Sequence, residues 1–323
     1  MKKLLAACMI MFSSVAYAWE PPKTVTVIVG NQPGAGNEIA FRKLASIVNK
    51  EHPNVTFVVQ HMPGADTAIA LNYLLMQPNN GSVLAIPSKM NFVTNDVWQK
   101  KSKKFQWDSF SYITTIGDSP LVLVAHKSSK INTPQEFMAK IANTPEQIVV
   151  AIGGGAHRTA LEYLIYNAKA NKNLVKHINY SGPAQALYSV IQNETEFGIM
   201  PITIAQPQID DGAVKAIGFT GNSTLTQYPK VPLLNTVAPG IEVQAGWLLI
   251  APPKTPLEIV DWYNAAFVRA INTAEFKEWQ DKNIVTISNL DLTPEGMKAK
   301  LEKLRATFLP LLLEIITEGE AEK

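Results

Sequence analysis

The chain has 323 residues, 46% of them hydrophobic and 17% charged, with a formal net charge of +2 at neutral pH. That balance excludes a disordered chain and gives no basic field for nucleic acid, while the length allows two domains. No segment reaches the roughly 18 uninterrupted apolar residues of a membrane span.

At the start, Lys2 and Lys3 precede the apolar run Leu4 to Phe12, and Ala16-Tyr17-Ala18 is a small-x-small site. A cleavable signal peptide over residues 1–18 is therefore expected, with a periplasmic chain beginning at Trp19. Leu5-Ala6-Ala7-Cys8 also resembles a lipoprotein box, but too few apolar residues precede the cysteine, so cleavage after Ala18 is preferred. Cleavage there removes two of the 29 basic residues and the single cysteine, leaving 27 basic against 27 acidic residues and no disulfide. Any preference for a charged ligand must then come from local groups.

Thr24 to Val29 is a β-branched run that reads as a buried strand. It runs into Gly30-Asn31-Gln32-Pro33-Gly34-Ala35-Gly36-Asn37, a turn with almost no side chain to cover its backbone, and then into a helix carried by Ile39, Leu44, Ile47 and Val48. The stretch is either a tight connection or an anion cradle, because a helix N-terminus turns free amides and the positive end of its dipole toward the turn. Phe57-Val58-Val59 is the next strand, followed by the small-residue turn His61 to Thr67, a helix over Ala68 to Met76 and a strand over Ser82 to Pro87. The lysines at 100, 101, 103 and 104 read as a solvated charge run, and Leu121 to Ala125 as a strand. Thr133-Pro134-Gln135-Glu136 has the form of a helix start, with a threonine cap and proline at the first position.

The opening theme then recurs. Gln147 to Ile152 is a strand, Gly153-Gly154-Gly155-Ala156-His157 a bare turn, and Arg158 to Ala168 a helical pattern; Tyr180 to Ala184 is a further small-residue turn before the helix Gln185 to Gln192. Alternating strands and helices predict an α/β protein with mainly parallel sheets, in two lobes whose helix N-termini face one cleft. Pro252-Pro253-Lys254-Thr255-Pro256 punctuates a return to the first lobe, where the helical pattern Ile259 to Ile271 covers the sheet. The expected division is residues 19–119 with 252–323 as one lobe and 120–251 as the other.

These segments together resemble the Bug family, the periplasmic substrate-binding receptors of tripartite tricarboxylate transporters. Ile28 to Glu38 resembles the family's I-V-P-F-x-P-G-G-x-x-D, Phe57 to Ala65 its V-V-V-x-N-x-P-G-A, and Tyr180 to Ala184 its Y-K-G-x-A. Tyr228-Pro229-Lys230-Val231-Pro232 and Gly246 to Pro252 match further segments in the same order. The resemblance implies a two-lobed type II periplasmic-binding-protein fold, of Venus-flytrap form, that closes over a small organic acid. It implies delivery of that acid to membrane transporter subunits by a monomer with no cofactor, metal or nucleic acid.

Carried over residue by residue, the resemblance assigns the ligand to Pro33, Gly34, Gly36, Asn37 and Glu38 of the first loop and to Gly153, Gly155 and Ala156 of the second. Asn31, Gln32, Gly64, Ala65, Gly154, His157 and Ser181 complete the candidate set, with backbone amides of the two glycine loops expected to hold the carboxylate. Departures from the pattern fall in the loops: Gly30 and Asn31 replace Pro-Phe, Glu38 replaces aspartate, Ser181 replaces lysine, and His157-Arg158 replace small hydroxylic residues. Glu38 can equally answer to the helix dipole and to Arg42 four residues on, His157 can be a solvent-exposed turn residue, and Trp247 reads as core packing. A sensing module for a membrane signalling protein is the alternative function. An enzyme is disfavoured, since no G-x-S-x-G elbow, Walker lysine or H-E-x-x-H motif is present.

Overall fold

The computed structural model describes residues 19–321; the expected signal peptide, with Cys8, lies outside the described residues. In chain order the elements are β1 (Thr24–Val29), α1 (Gly36–Glu51), β2 (Thr56–His61), α2 (Ala68–Leu75), β3 (Val83–Ala85), α3 (Asn91–Trp98) and β4 (Ser111–His126). There follow α4 (Pro134–Asn143), β5 (Ile148–Ile152), α5 (Gly155–Asn167), β6 (Val175–Asn179), α6 (Pro183–Ile191), β7 (Phe197–Pro201), α7 (Ile202–Asp210) and β8 (Val214–Phe219). The chain ends with β9 (Gln244–Ala251), α8 (Leu257–Ile271), α9 (Ala274–Asn283) and α10 (Pro294–Ala321). No described helix is long and apolar enough to cross a membrane.

The strands run in the order β2-β1-β3-β9-β4-β7-β5-β6, with β8 also on β4. Around β1 and around β5 the pairings are parallel, but β3–β9, β4–β7, β4–β8 and β4–β9 are antiparallel, so the expectation of mainly parallel sheets is corrected to a mixed arrangement. The cause is β4. Its first ten residues, Ser111 to Pro120, pair with β9, whereas Leu121 to His126 pair with β7 and β8, so one continuous strand serves both halves. Because β9 hydrogen-bonds to β3 and to the first half of β4, the chain returns to the first sheet at Gln244. Pro252-Pro253, where the expected division places the return, follows the end of β9.

Each half is closed by amphipathic helices. α1 buries Phe41, Leu44, Ile47 and Val48 on the sheet, where Phe41 packs against Phe57 and Phe267 at centroid distances of 5.7 and 5.8 Å. A fully buried side chain of this kind contributes about 1.5–3 kcal/mol. Thr133 caps α4 as expected and forms a capping box with Glu136, each side chain accepting the other's backbone N–H at 3.2 Å. Of the lysine run, Lys100, Lys101 and Lys104 are exposed, while Lys103 pairs with Asp96, which also takes Arg305 of α10 at 2.5 Å.

Where the chain passes between its halves, Lys89 Nζ lies 2.8 Å from both carboxylate oxygens of buried Asp118, and the Lys89 N–H donates to Gly246 O at 2.7 Å. A Cβ on Gly246 would sit 2.1 Å from Asp118 Oδ1 and 2.8 Å from Lys89 Cδ, so the glycine leaves room for this ion pair.

Candidate functional site

Two strand–turn–helix units point their helix N-termini at one cavity of about 40 Å3. In the first, β1 ends at the glycine turn and α1 begins with Ala35 at its N-cap, which offers no side-chain acceptor. Among the described residues no acceptor takes the Gly36 or Asn37 N–H. Asn37 is buried and fixes the turn from within: its Nδ2 donates to Ile86 O at 2.7 Å and its Oδ1 accepts the Glu38 N–H at 3.0 Å. A Cβ on Gly36 would meet the Trp247 ring at 2.5 Å, so glycine is required where α1 approaches that indole.

In the second unit, β5 ends at Ile152 and α5 begins at Gly155. A Cβ on Gly153 would lie 2.4–2.6 Å from backbone atoms of Gly182 and Pro183, and Gly154 has φ 157°. His157 folds back on the turn, its Nδ1 accepting the Gly153 N–H at 3.1 Å. That bond leaves the ring proton on Nε2 in the neutral form. Burial pushes the His157 pKa down to about 4.

The cavity brings together Asn31, Gly36, Asn37, Gly153, Gly154, Gly155, Ala156 and His157 of the sequence candidates. The others lie elsewhere. Pro33 and Gly34 form the exposed outer side of the first turn beside half-buried Gln32, Gly64 is exposed next to half-buried Ala65, and Ser181 is exposed, with Pro183 reaching the cavity in its stead. Glu38 is turned back on its own loop. Its Oε2 accepts the Gly34 N–H at 3.0 Å, and its Oε1 lies 2.7 Å from Arg42 Nη2 and 3.5 Å from His61 Nε2. Burial raises the Glu38 pKa, but the Gly34 amide, Arg42 and His61 outweigh it and hold the carboxyl below its ordinary value. The dipole-and-Arg42 alternative therefore describes Glu38.

Sequence reasoning passed over Asp66, Thr67, Ser88, Asn91, Pro201 and Ala245; Trp247, read as core packing, is buried in the core and also lines the cavity. Asp66 matters most. Its Oδ1 accepts the Gly155 N–H at 2.9 Å, the first amide of α5, across the cleft from its own loop. Asn91 Nδ2 donates to the same oxygen at 3.1 Å, and Thr94 Oγ1 lies 2.5 Å from Oδ2. Burial raises the Asp66 pKa, an effect that the bonds from Thr94, Gly155 and Asn91 and the charge of Arg158 offset only in part. The turn His61 to Thr67 carries the signal, an acid that follows Pro-Gly-Ala before a helix. A second contact crosses the cleft nearby, with the Arg158 guanidinium 4.1 Å over the Trp98 ring.

The family model described as tripartite tricarboxylate transporter family receptor matches residues 41–293. Among relatives, a UPF0065 protein of Bordetella pertussis is 25% identical over 300 residues, covering 90% of this chain and 91% of that protein. Among solved structures, MatC from Rhodopseudomonas palustris with bound malate superposes with a TM-score of 0.83 at 20% identity, covering 90% of this chain and 98% of that one. The periplasmic binding protein BugD superposes with a TM-score of 0.83 at 20% identity, covering 93% and 99%. These likenesses establish the two-lobed α/β binding-protein fold, and with the family match extending from α1 to the start of α10, the chain belongs to the tripartite tricarboxylate transporter receptor family.

Proposed function

We propose that this protein is a periplasmic receptor that captures a small organic carboxylate in the cavity between its two halves and delivers it to the membrane subunits of a tripartite tricarboxylate-type transporter. The observation that carries the proposal is the N-terminus of α1. Gly36 and Asn37, whose amides have no acceptor among the described residues, line the cavity at the positive end of a 16-residue helix. A carboxylate there gains charge-assisted hydrogen bonds of about 1.5–3 kcal/mol each. MatC, of the same fold, was solved with malate. Asp66 and His157, the acid and the base that line the cavity, are both bonded to backbone amides, those of Gly155 and Gly153, an arrangement suited to holding a ligand more than to acid–base chemistry.

We take residues 121–243 as one lobe and residues 19–120 with 244–321 as the other, hinged where β4 and β9 pass between them. The test is a thermal-shift screen of small mono-, di- and tricarboxylates on refolded, ligand-free protein, followed by titration calorimetry of the best acid against Gly36→Val. The valine is expected to weaken binding more than tenfold, since buried Trp247 leaves it no room. If no carboxylate raises the melting temperature, or if folded Gly36→Val binds as wild type does, the proposed site is wrong.

A further inference from the structure

The loop that carries Asp66 is held in a costly shape. Gly64, Ala65, Asp66 and Thr67 have φ values of 128°, 47°, 48° and 72°, four left-handed residues in succession. A non-glycine residue keeps this conformation only where its surroundings hold it there. Asn91 and Asn95 of α3 each donate to Asp66 O at 3.1 Å and brace the turn, while Thr94 and Asn91 hold the carboxylate. Residues 91, 94 and 95 lie on one face of that helix, so α3 supports Asp66 at both backbone and side chain. The result is an acid of the protein's own at the N-terminus of α5, bonded to Gly155 where the second cradle would otherwise take a ligand anion.

The two ends of the cavity therefore differ. At α1 the amides of Gly36 and Asn37 are open, and Thr203 Oγ1, buried and without a partner among the described residues, would lie 3.2 Å from a Cβ on Gly36. That hydroxyl is a further donor beside the same anion site. At α5 a second ligand carboxylate would have to displace Asp66 or lie against it, and two carboxylates sharing a site cannot both stay ionised without cost. A neutral or cationic donor, by contrast, meets an acceptor there.

On the receptor function proposed above, we infer that the ligand is a small acid with one carboxylate, bound at α1, whose far end is a neutral or cationic hydrogen-bond donor, and that Asp66 turns α,ω-dicarboxylates away. The test is titration calorimetry of ligand-free protein with four matched pairs of equal length: malonate and malonamate, succinate and succinamate, glutarate and glutaramate, adipate and adipamate. In every pair where either member binds, the monoamide is expected to bind at least tenfold more tightly. Asp66→Asn, which keeps an oxygen for Gly155 but removes the charge, should narrow the gap by at least tenfold, with Asp66→Ser as the second variant if the first melts early. A dicarboxylate that binds wild type as tightly as its monoamide overturns the inference and leaves the receptor function standing. A gap unchanged in a variant that melts like wild type removes Asp66 from the role. Binding by none of the eight acids, with another carboxylate from the screen bound, overturns the inference and leaves the receptor function standing; no carboxylate bound at all overturns both.

Discussion

At the scale of single residues, His157 carries a titration that the fold alters strongly. Its ring is buried, its Nδ1 is bonded to the Gly153 amide, and its pKa is pushed down from 6.5 to about 4. Between those values the unfolded chain binds a proton that the native ring refuses. The stability this provides is present above pH 6.5 and is lost as pH falls toward 4, by about 3 kcal/mol in all. Asp66 works in the opposite direction: its raised pKa means that from 3.8 upward the native acid binds more proton than the unfolded one, so stability falls as pH rises there. His177, also lowered to about 4 by burial and by Arg158 and Lys176, adds to the His157 effect. A wild-type curve mixes the three, and a difference curve separates them. His157→Asn keeps an acceptor for Gly153 without the titration, so urea midpoints at pH 7.5, 5.5 and 4 should fall more steeply for wild type than for the variant. Parallel curves would mean that the native ring takes up its proton as freely as an exposed histidine.

At the scale of elements, α3 and α5 face each other across the cleft, and Arg158 over Trp98 is the contact between them that a simple cycle can isolate. Such stacking contributes roughly 0.5–2 kcal/mol. Trp98→Leu and Arg158→Ala should each weaken binding of the best acid from the screen, and the double variant should lose less than their sum by about that amount. Strict additivity would show that the pair does not assist closure. α3 also marks where the sequence stopped being legible. The turns at Gly30 to Asn37 and Gly153 to His157 could be read because each follows a β-branched strand and precedes an apolar helical face. α3 buries Phe92 and Val93, but the residues that order the Asp66 loop, Asn91, Thr94 and Asn95, are polar, and their partner lies on another loop. β4 was half visible for a related reason. Leu121 to Ala125 is an uninterrupted apolar run, but Thr114, Thr115, Asp118 and Ser119 in its first half are polar residues buried by tertiary packing. For the candidate site the legible part was backbone, the glycine loops, and the hidden part was the side chain that one of those loops binds.

At the scale of the whole molecule, the fold's two halves share a core. The main buried cluster runs without a break from Val25 of β1 through Leu121 and Leu123 of β4 to Phe197 of β7, and Val243 and Trp247 join it where the chain returns. Two-lobed proteins need not unfold in one step, since lobes with separate cores melt separately. Here β4 supplies residues to both sheets, so melting either sheet strips partners from the other. Calorimetry of ligand-free protein should show one transition whose van't Hoff and calorimetric enthalpies agree. An acid at 100 times its dissociation constant adds about 2.7 kcal/mol to stability. For a chain of this size, that should move the whole transition up by roughly 5 °C. If the ligand bridges both halves as proposed, no part of the heat-capacity peak should stay behind. Two peaks of which the acid moves only one would show that the lobes hold themselves together separately, and that the ligand is held by the α1 side of the cleft alone.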